Sequence, residues 1–244
     1  MTNSCLVAKL GKFASLSEGD SAMLEALERD EREYRKDQLI QRRGNPIDEM
    51  FVVKSGWLTS FSVLDDGRRQ LLRLFFSGDI VDLSNVALTV SQHDIKALTP
   101  AVLCPFPKSG LEPLFHSSPR LTALLFSMTV RENATLLGRI RAIGRFNAYE
   151  RLCYLILELG SRLRLAAGHQ YAPDGFRIPL TQSDIADLLG LTNVYVSKTM
   201  SRIEKDGLIE RHGNRIIICE PKRMQNICEF EDSEQIDTSW FPLR

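Results

Sequence analysis

The chain has 244 residues, 43% of them apolar and 25% charged, and its 31 Lys and Arg balance 31 Asp and Glu. That composition fits a globular chain with one large or two modest cores, and zero net charge means that any surface for a polyanion must be local. The longest apolar runs, such as LLRLFF at 71–76, are too short to span a bilayer.

The N-terminus shows no signal-peptide pattern. Five cysteines without a CxxC pair argue against a disulfide framework and fit a reducing cytoplasm. Residues 20–36, DSAMLEALERDEREYRK, are charged and helical in pattern. From about 38 to 107 the pattern changes to short β-rich segments broken by turn residues. Asp66-Gly67 lies between LTSFSVL and QLLRLFF, and these residue types accept the positive φ of a tight hairpin turn. Gly44, Gly56 and Gly78 mark further turns, the rhythm of a small antiparallel roll or barrel. Pro100, Pro105 and Pro107 then predict that the sheet ends nearby.

Residues 119–144 read as one long helix with proline only at its tolerated start. Leu121, Leu125, Met128, Leu136, Ile140 and Ile143 recur at helical steps, with a gap at Arg131-Glu132. Such a stripe either packs on its own domain or zips to a second copy. Gly144 is read as a helix end and Asn147 as the cap of the next helix, AYERLCYLILELGSRL.

The segment LTQSDIADLLGLTNVYVSKTMSRIEKDGLI, 180–209, holds two short helices around Gly190. Thr181 and Asp184 have the spacing of a capping box. Ile185, Ala186, Leu188 and Leu189 form an apolar face, Leu191 plugs the junction, and Thr192 caps the second helix. In that helix Val196, Met200 and Ile203 turn to the core, while Asn193, Val194, Ser197 and Lys198 lie on the other side. Steeply angled short helices with a polar outer face on the second are a helix-turn-helix, whose second helix enters the major groove of DNA.

DGLIERHGNRIIICEP, 206–221, then reads as a hairpin wing that brings Arg211 and Arg215 near phosphates. Asn193, Val194, Ser197 and Lys198 are therefore the expected base readers. Thr181, Gln182, Thr192, Tyr195 and Arg215 are the expected phosphate contacts. With a DNA-binding motif following it, the long helix is read as a dimer seam. Residues 147–223 carry 11 Lys and Arg against nine Asp and Glu, so charge favours DNA only slightly. The last 21 residues hold five acids and one arginine and should stay off it.

The order of RRGNPIDEMFVVKSGWL, DDGRRQLLRLFFSGDIV, the long helix and LTQSDIADLLGLTNVYVSKTMSRIEKDGLIE resembles the catabolite-activator/Fnr-type (Crp/Fnr) bacterial transcription regulators. The likeness spans roughly residues 10–223 and is strongest in the helix-turn-helix. It implies an α+β fold: an antiparallel, cyclic-nucleotide-binding-like β-roll over 1–117, a dimerisation helix over 118–146 and a winged helix-turn-helix over 147–223, before an acidic tail over 224–244. It also implies a homodimer on a two-fold-symmetric promoter site and action on RNA polymerase.

Departures from the family pattern refine that expectation. Family members that bind cyclic nucleotides carry a glutamate and an arginine for the ribose and cyclic phosphate, where Leu83 and Ser91 stand here. A buried phosphate without its arginine is poorly compensated, so no cAMP dependence is expected. Cys5 is alone at the N-terminus, against the cysteine cluster of the iron–sulfur members. His93 and Cys104 are the nearby candidates for a haem or other effector, and both read as structural. No cofactor is predicted and the effector stays open. At the recognition helix, family members often begin with Arg or Glu and carry a later Arg; this chain has Asn193, Val194 and Lys198, the last a point charge rather than a fork. The competing reading is a ligand-sensing module that works through a protein partner. An enzyme is not expected, because nothing pairs a nucleophile with a base or builds a metal cage.

Overall fold

Alternating apolar residues between Arg32 and Pro107 close two antiparallel sheets over one core. The structure, a computed structural model, describes residues 4–81, 83–166, 171–172, 175–232 and 236–242. Strands β1 (Arg32–Tyr34), β2 (Leu39–Gln41), β3 (Glu49–Ser55), β4 (Leu58–Val63), β5 (Arg69–Phe75), β6 (Asp94–Ala97) and β7 (Ala101–Pro107) build the roll. One sheet has the order β1-β7-β3 and the other β2-β6-β4-β5. Val53, Leu58, Phe75, Ile95, Ala97 and Leu103 fill the space between them. In the β4–β5 hairpin Gly67, but not Asp66, takes a positive φ, of 84°. Gly56 is required more strictly: its φ is 90°, and a Cβ there would lie 2.5 Å from the Pro100 carbonyl oxygen.

One expectation in this half is corrected. The helix over 20–36 stops early: α1 (Cys5–Leu10) is followed by α2 (Glu18–Ala26), and Arg32–Tyr34 is strand β1. Beyond Leu27 the run ERDERE has no apolar face to hold a helix on the core, whereas β1 gains a ladder on β7. The sheet does end where the prolines stand: β7, the last strand of the roll, stops at Pro107, although it still carries Pro105 and Pro107 opposite Phe51 and Glu49 of β3. β1 reaches only to Leu103, so that edge of β7 has no ladder for the prolines to break.

After α3 (Glu112–Ser117), the helix α4 (Pro119–Arg145) runs 27 residues and passes through Gly144, so Gly144 is not its end. Its first turns join the roll: Leu121, Leu124 and Leu125 pack with Leu6, Leu24 and Leu114. Asn147 caps α5 (Ala148–Leu165), with Glu150 closing a capping box. Eleven of its 18 residues are buried, which makes α5 the pillar of the C-terminal half.

Around α5 stand β8 (Tyr171–Ala172), β9 (Gly175–Arg177), α6 (Gln182–Leu189), α7 (Asn193–Lys205), β10 (Ile209–His212), β11 (Arg215–Ile218) and α8 (Pro221–Cys228). The sheet order is β10-β11-β9-β8. Helix α8 runs across the expected boundary at residue 223 and buries Met224 and Cys228 completely. Ser161 donates to the Asp232 carboxylate at 2.6 Å, and Phe241 is buried under the Arg120 guanidinium.

The two halves share a core. Trp57, Leu71, Leu74 and Phe76 of the roll cluster with Leu152, Ile156 and Leu159 of α5. Arg69 of β5 reaches Asp184 at 2.8 Å and Asp187 at 2.7 Å, so the hairpin grips α6.

Candidate nucleic-acid interface

The Thr181 hydroxyl accepts from the Asp184 backbone N–H at 3.1 Å and donates to its carboxylate at 2.7 Å, which sets the start of α6. Burial pushes the Asp184 carboxyl up, but its bonds from Thr181 and the Arg69 guanidinium outweigh that and hold it below the ordinary aspartate value. Helix α6 ends at Gly190, whose φ of 64° is the left-handed turn an L side chain resists. The chain then reverses into α7, where the Thr192 side chain accepts from the Tyr195 N–H. Leu191 is half-buried against the core between the two helices.

Helix α7 is two-faced. Val196, Met200 and Ile203 are buried, which pins the rotation of the helix. Asn193, Val194, Tyr195 and Lys198 are exposed and Ser197 is half-buried beside them. Val194 and Tyr195 each stay 61% exposed, an apolar outlay that packing within the chain does not explain. The first turn of α7 holds no acidic residue, so its free N–H groups present an uncompensated positive dipole end. Ser201, one turn on from Ser197 and Lys198, is exposed on the same side. Its small size and neutrality gave no signal in the sequence.

Of the expected phosphate contacts, Thr181, Gln182, Thr192 and Tyr195 are exposed at or beside the starts of α6 and α7. The Thr181 hydroxyl is engaged in its cap. Arg215 is half-buried at the start of β11, opposite His212 and beside Arg177. The wing turns at Gly213, with φ 65°. Arg211 departs from expectation: it donates to Glu204 at 2.9 and 2.5 Å, so its charge ties the wing to α7. That bond holds the Glu204 carboxyl below its usual range. Tyr149 donates to Asp206 at 2.7 Å, and burial followed by that bond pushes its hydroxyl up to about 12.

The expected dimer seam is the larger correction. Leu121 and Leu125 are buried in the core of their own roll, Met128 packs beside them, and Leu136 is half-buried along the cavity wall. Ile140 and Ile143 do face out. They are joined there by Phe126, Val130 and Leu137, at 60%, 50% and 59% exposure. Helix α4 thus has two apolar faces, and the expected set mixes them. The gap at Arg131-Glu132 marked the inner face, since Glu132 pairs with Arg73 of β5 at 2.8 Å.

A cavity of about 530 Å³ lies between the roll, α1, α4 and α5. Leu83 and His93 line it. Ser91 is buried, with its hydroxyl donating to the His93 carbonyl at 2.8 Å. The cations along the cavity are already engaged: Lys9 by Asp79, Arg73 by Glu132, and Arg131 over the Phe13 ring. Arg162 lies 3.6 Å from Glu158 and 3.7 Å from Asp79. These residues do not fit a cyclic phosphate, because neither an acid for the ribose nor an uncommitted arginine stands at the matching positions. Cys104 is buried in the roll core, and burial raises its thiol to about 11. Among the described residues no three His, Cys, Asp or Glu side chains gather as a metal or cluster site. None of the described helices is long and apolar enough to cross a membrane.

Comparison with known proteins agrees with this architecture. A family model described as a cyclic nucleotide-binding domain matches residues 31–118, and one described as a Crp-like helix-turn-helix domain matches residues 150–227. The chain is 30% identical to the transcriptional activator protein FnrL of Cereibacter sphaeroides over 188 residues, covering 77% of this chain and 75% of that one. It is 27% identical to the transcriptional activator protein anr of Pseudomonas aeruginosa, over 88% of this chain and 86% of that one. The solved structure of FixK2 from Bradyrhizobium japonicum superposes with a TM-score of 0.72 at 26% identity, covering 81% of this chain and 96% of FixK2.

Proposed function

This chain belongs to the Crp/Fnr family of DNA-binding transcription regulators, and from that premise we propose that it binds a two-fold-symmetric promoter site as a homodimer, one α7 to each half-site. The observation that carries this reading is the outer face of α7, where Asn193, Val194 and Lys198 are exposed with Ser197 half-buried beside them, while the core holds the opposite face.

Asn193 has the donor and acceptor to read adenine, Val194 the methyl contact for thymine, and Lys198 the charge for guanine. Thr192, Tyr195, Gln182 and Arg215, with the backbone at Thr181, hold the phosphates that fix the register. RNA polymerase is the partner whose access or recruitment the bound dimer changes. The protein works in the cytoplasm, has no catalytic role, and does not depend on cAMP. The winged-helix unit runs from 147 to Cys228, since α8 is part of its core.

The test is fluorescence-anisotropy titration of promoter duplexes at several salt concentrations. The reading requires one duplex set to be preferred at least about 1,000-fold over random sequence, with affinity falling as salt rises. Equal binding to all duplexes contradicts it. Calorimetry with cAMP at millimolar concentration should give no heat of binding.

A further inference from the structure

The outer face of α4 and the C-terminal segment meet at one place. Phe126, Val130, Asn133, Leu137, Ile140 and Gly144 follow one another at alternating steps of four and three residues, and all six are exposed. That is the seam spacing of a two-stranded coiled coil, roughly 27 Å long at about 1.5 Å per residue. The seam is apolar except for Asn133. A parallel, in-register pairing gives each Asn133 amide the other as its partner, which makes a second copy of this helix the fitting occupant. Of the flanking positions, Thr129, Ala134, Leu136 and Ile143 carry no charge, and Arg141 is turned to Glu229 of its own chain.

At the N-terminal end of this seam the tail arrives. Phe241 is 5% exposed and anchors the segment in the roll core, with Arg120 over its ring. Farther back, Arg164 and Ser161 hold Asp232, and Arg141 donates to the Glu229 carbonyl at 2.9 Å. Between the anchors at Asp232 and Phe241, Trp240 remains 53% exposed, edge-on to Phe126 with ring centroids 6.4 Å apart. A tryptophan held by a buried neighbour, yet left half in water beside an exposed phenylalanine, is a surface shaped for a further apolar partner.

We infer that Trp240 is a dimer-contact residue: the C-terminal segment widens the α4 seam, and each Trp240 flanks the pair of Phe126 rings where the two helices meet. This rests on the homodimer proposed above and adds a part of the chain outside the helix. Parallel pairing puts both Phe126 rings at the same end of the seam, so two Trp240 rings close around them from opposite sides.

Sedimentation equilibrium of the full chain, with Trp240→Ala, Trp240→Phe and Ile140→Glu beside it, tests the inference. Trp240→Ala should raise the dimer dissociation constant at least tenfold, and Trp240→Phe should restore most of the loss. Iodide quenching of the unmodified chain gives a second readout, because Trp57 is 6% exposed and only Trp240 is open to the quencher. Quenching should fall as dilution is reversed and dimer forms. If Trp240→Ala dimerises within twofold of the unmodified chain while Ile140→Glu is monomeric, the helix seam stands and the role of Trp240 is overturned. A dimer of the right mass in which Trp240 stays fully quenchable also overturns it and leaves that patch to a different partner. A chain that is monomeric throughout overturns both readings.

Discussion

On α4 the exposed apolar residues Phe126, Val130, Leu137 and Ile140 stand in one row interrupted only by Asn133, whereas on α7 Val194 and Tyr195 are set among Asn193, Ser197, Lys198 and Ser201. Both helices leave apolar surface in water, but the company it keeps differs. A row at coiled-coil spacing is satisfied by burial against a like row, with one amide to set register. Mixed short donors, acceptors and methyl groups match the edges of base pairs, and the N-terminal dipole of α7 adds attraction to phosphate. The same fold thus presents one face built for bulk burial and one built for readout, and substitutions should separate them.

The largest effect belongs to the α4 row. Ile140→Glu places a charge in the seam and should convert the dimer to monomer by light scattering, with affinity for a symmetric site falling on the order of 100-fold or more. A mass unaltered by this change would return the face to plain solvent exposure. Next comes α7: Lys198→Ala should cost about 1–3 kcal/mol on the preferred site and relax one base position, while leaving the dimer intact. Arg215→Ala should act more weakly and evenly, lowering affinity for all duplexes and making the salt dependence shallower by about one unit of slope.

How much of this was readable beforehand differs between the same two helices. The recognition helix is a local device: its caps, its turn glycine and its inner row at Val196, Met200 and Ile203 all lie within 25 residues, so the sequence contains the whole argument. For α4 the periodicity was plain but its assignment was not. Which face belongs to the roll depends on Arg73 meeting Glu132 and on Leu121 meeting Leu6, contacts set by the fold rather than by helical spacing. Strand β1 and the Arg69 grip on α6 were hidden for the same reason: each needs a partner about 70 to 118 residues away. The tail showed its aromatic pair, Trp240 and Phe241, but the pocket that takes Phe241 is assembled from α4 and the roll.

A smaller effect sharpens the reading of α6. Thr181→Ala removes the cap and should cost about 1 kcal/mol of stability in denaturant unfolding. The Asp184 carboxyl it serves is held below its ordinary value in the folded chain. Its contribution is therefore fully present above the unfolded value of about 3.9 and is lost as pH falls through the lower folded value. Asp184→Asn should lower stability at neutral pH and flatten the loss below about pH 4. An acid limb unchanged by that substitution would contradict the role given to the Thr181–Asp184–Arg69 cluster.

The most direct measurement is the mass of the complex formed on a preferred promoter duplex, taken by analytical ultracentrifugation at moderate salt. Two chains per duplex, on a sequence whose halves are related by a two-fold axis, is the predicted result. A single chain per duplex, or a complex no more stable than that on random DNA, would contradict the account.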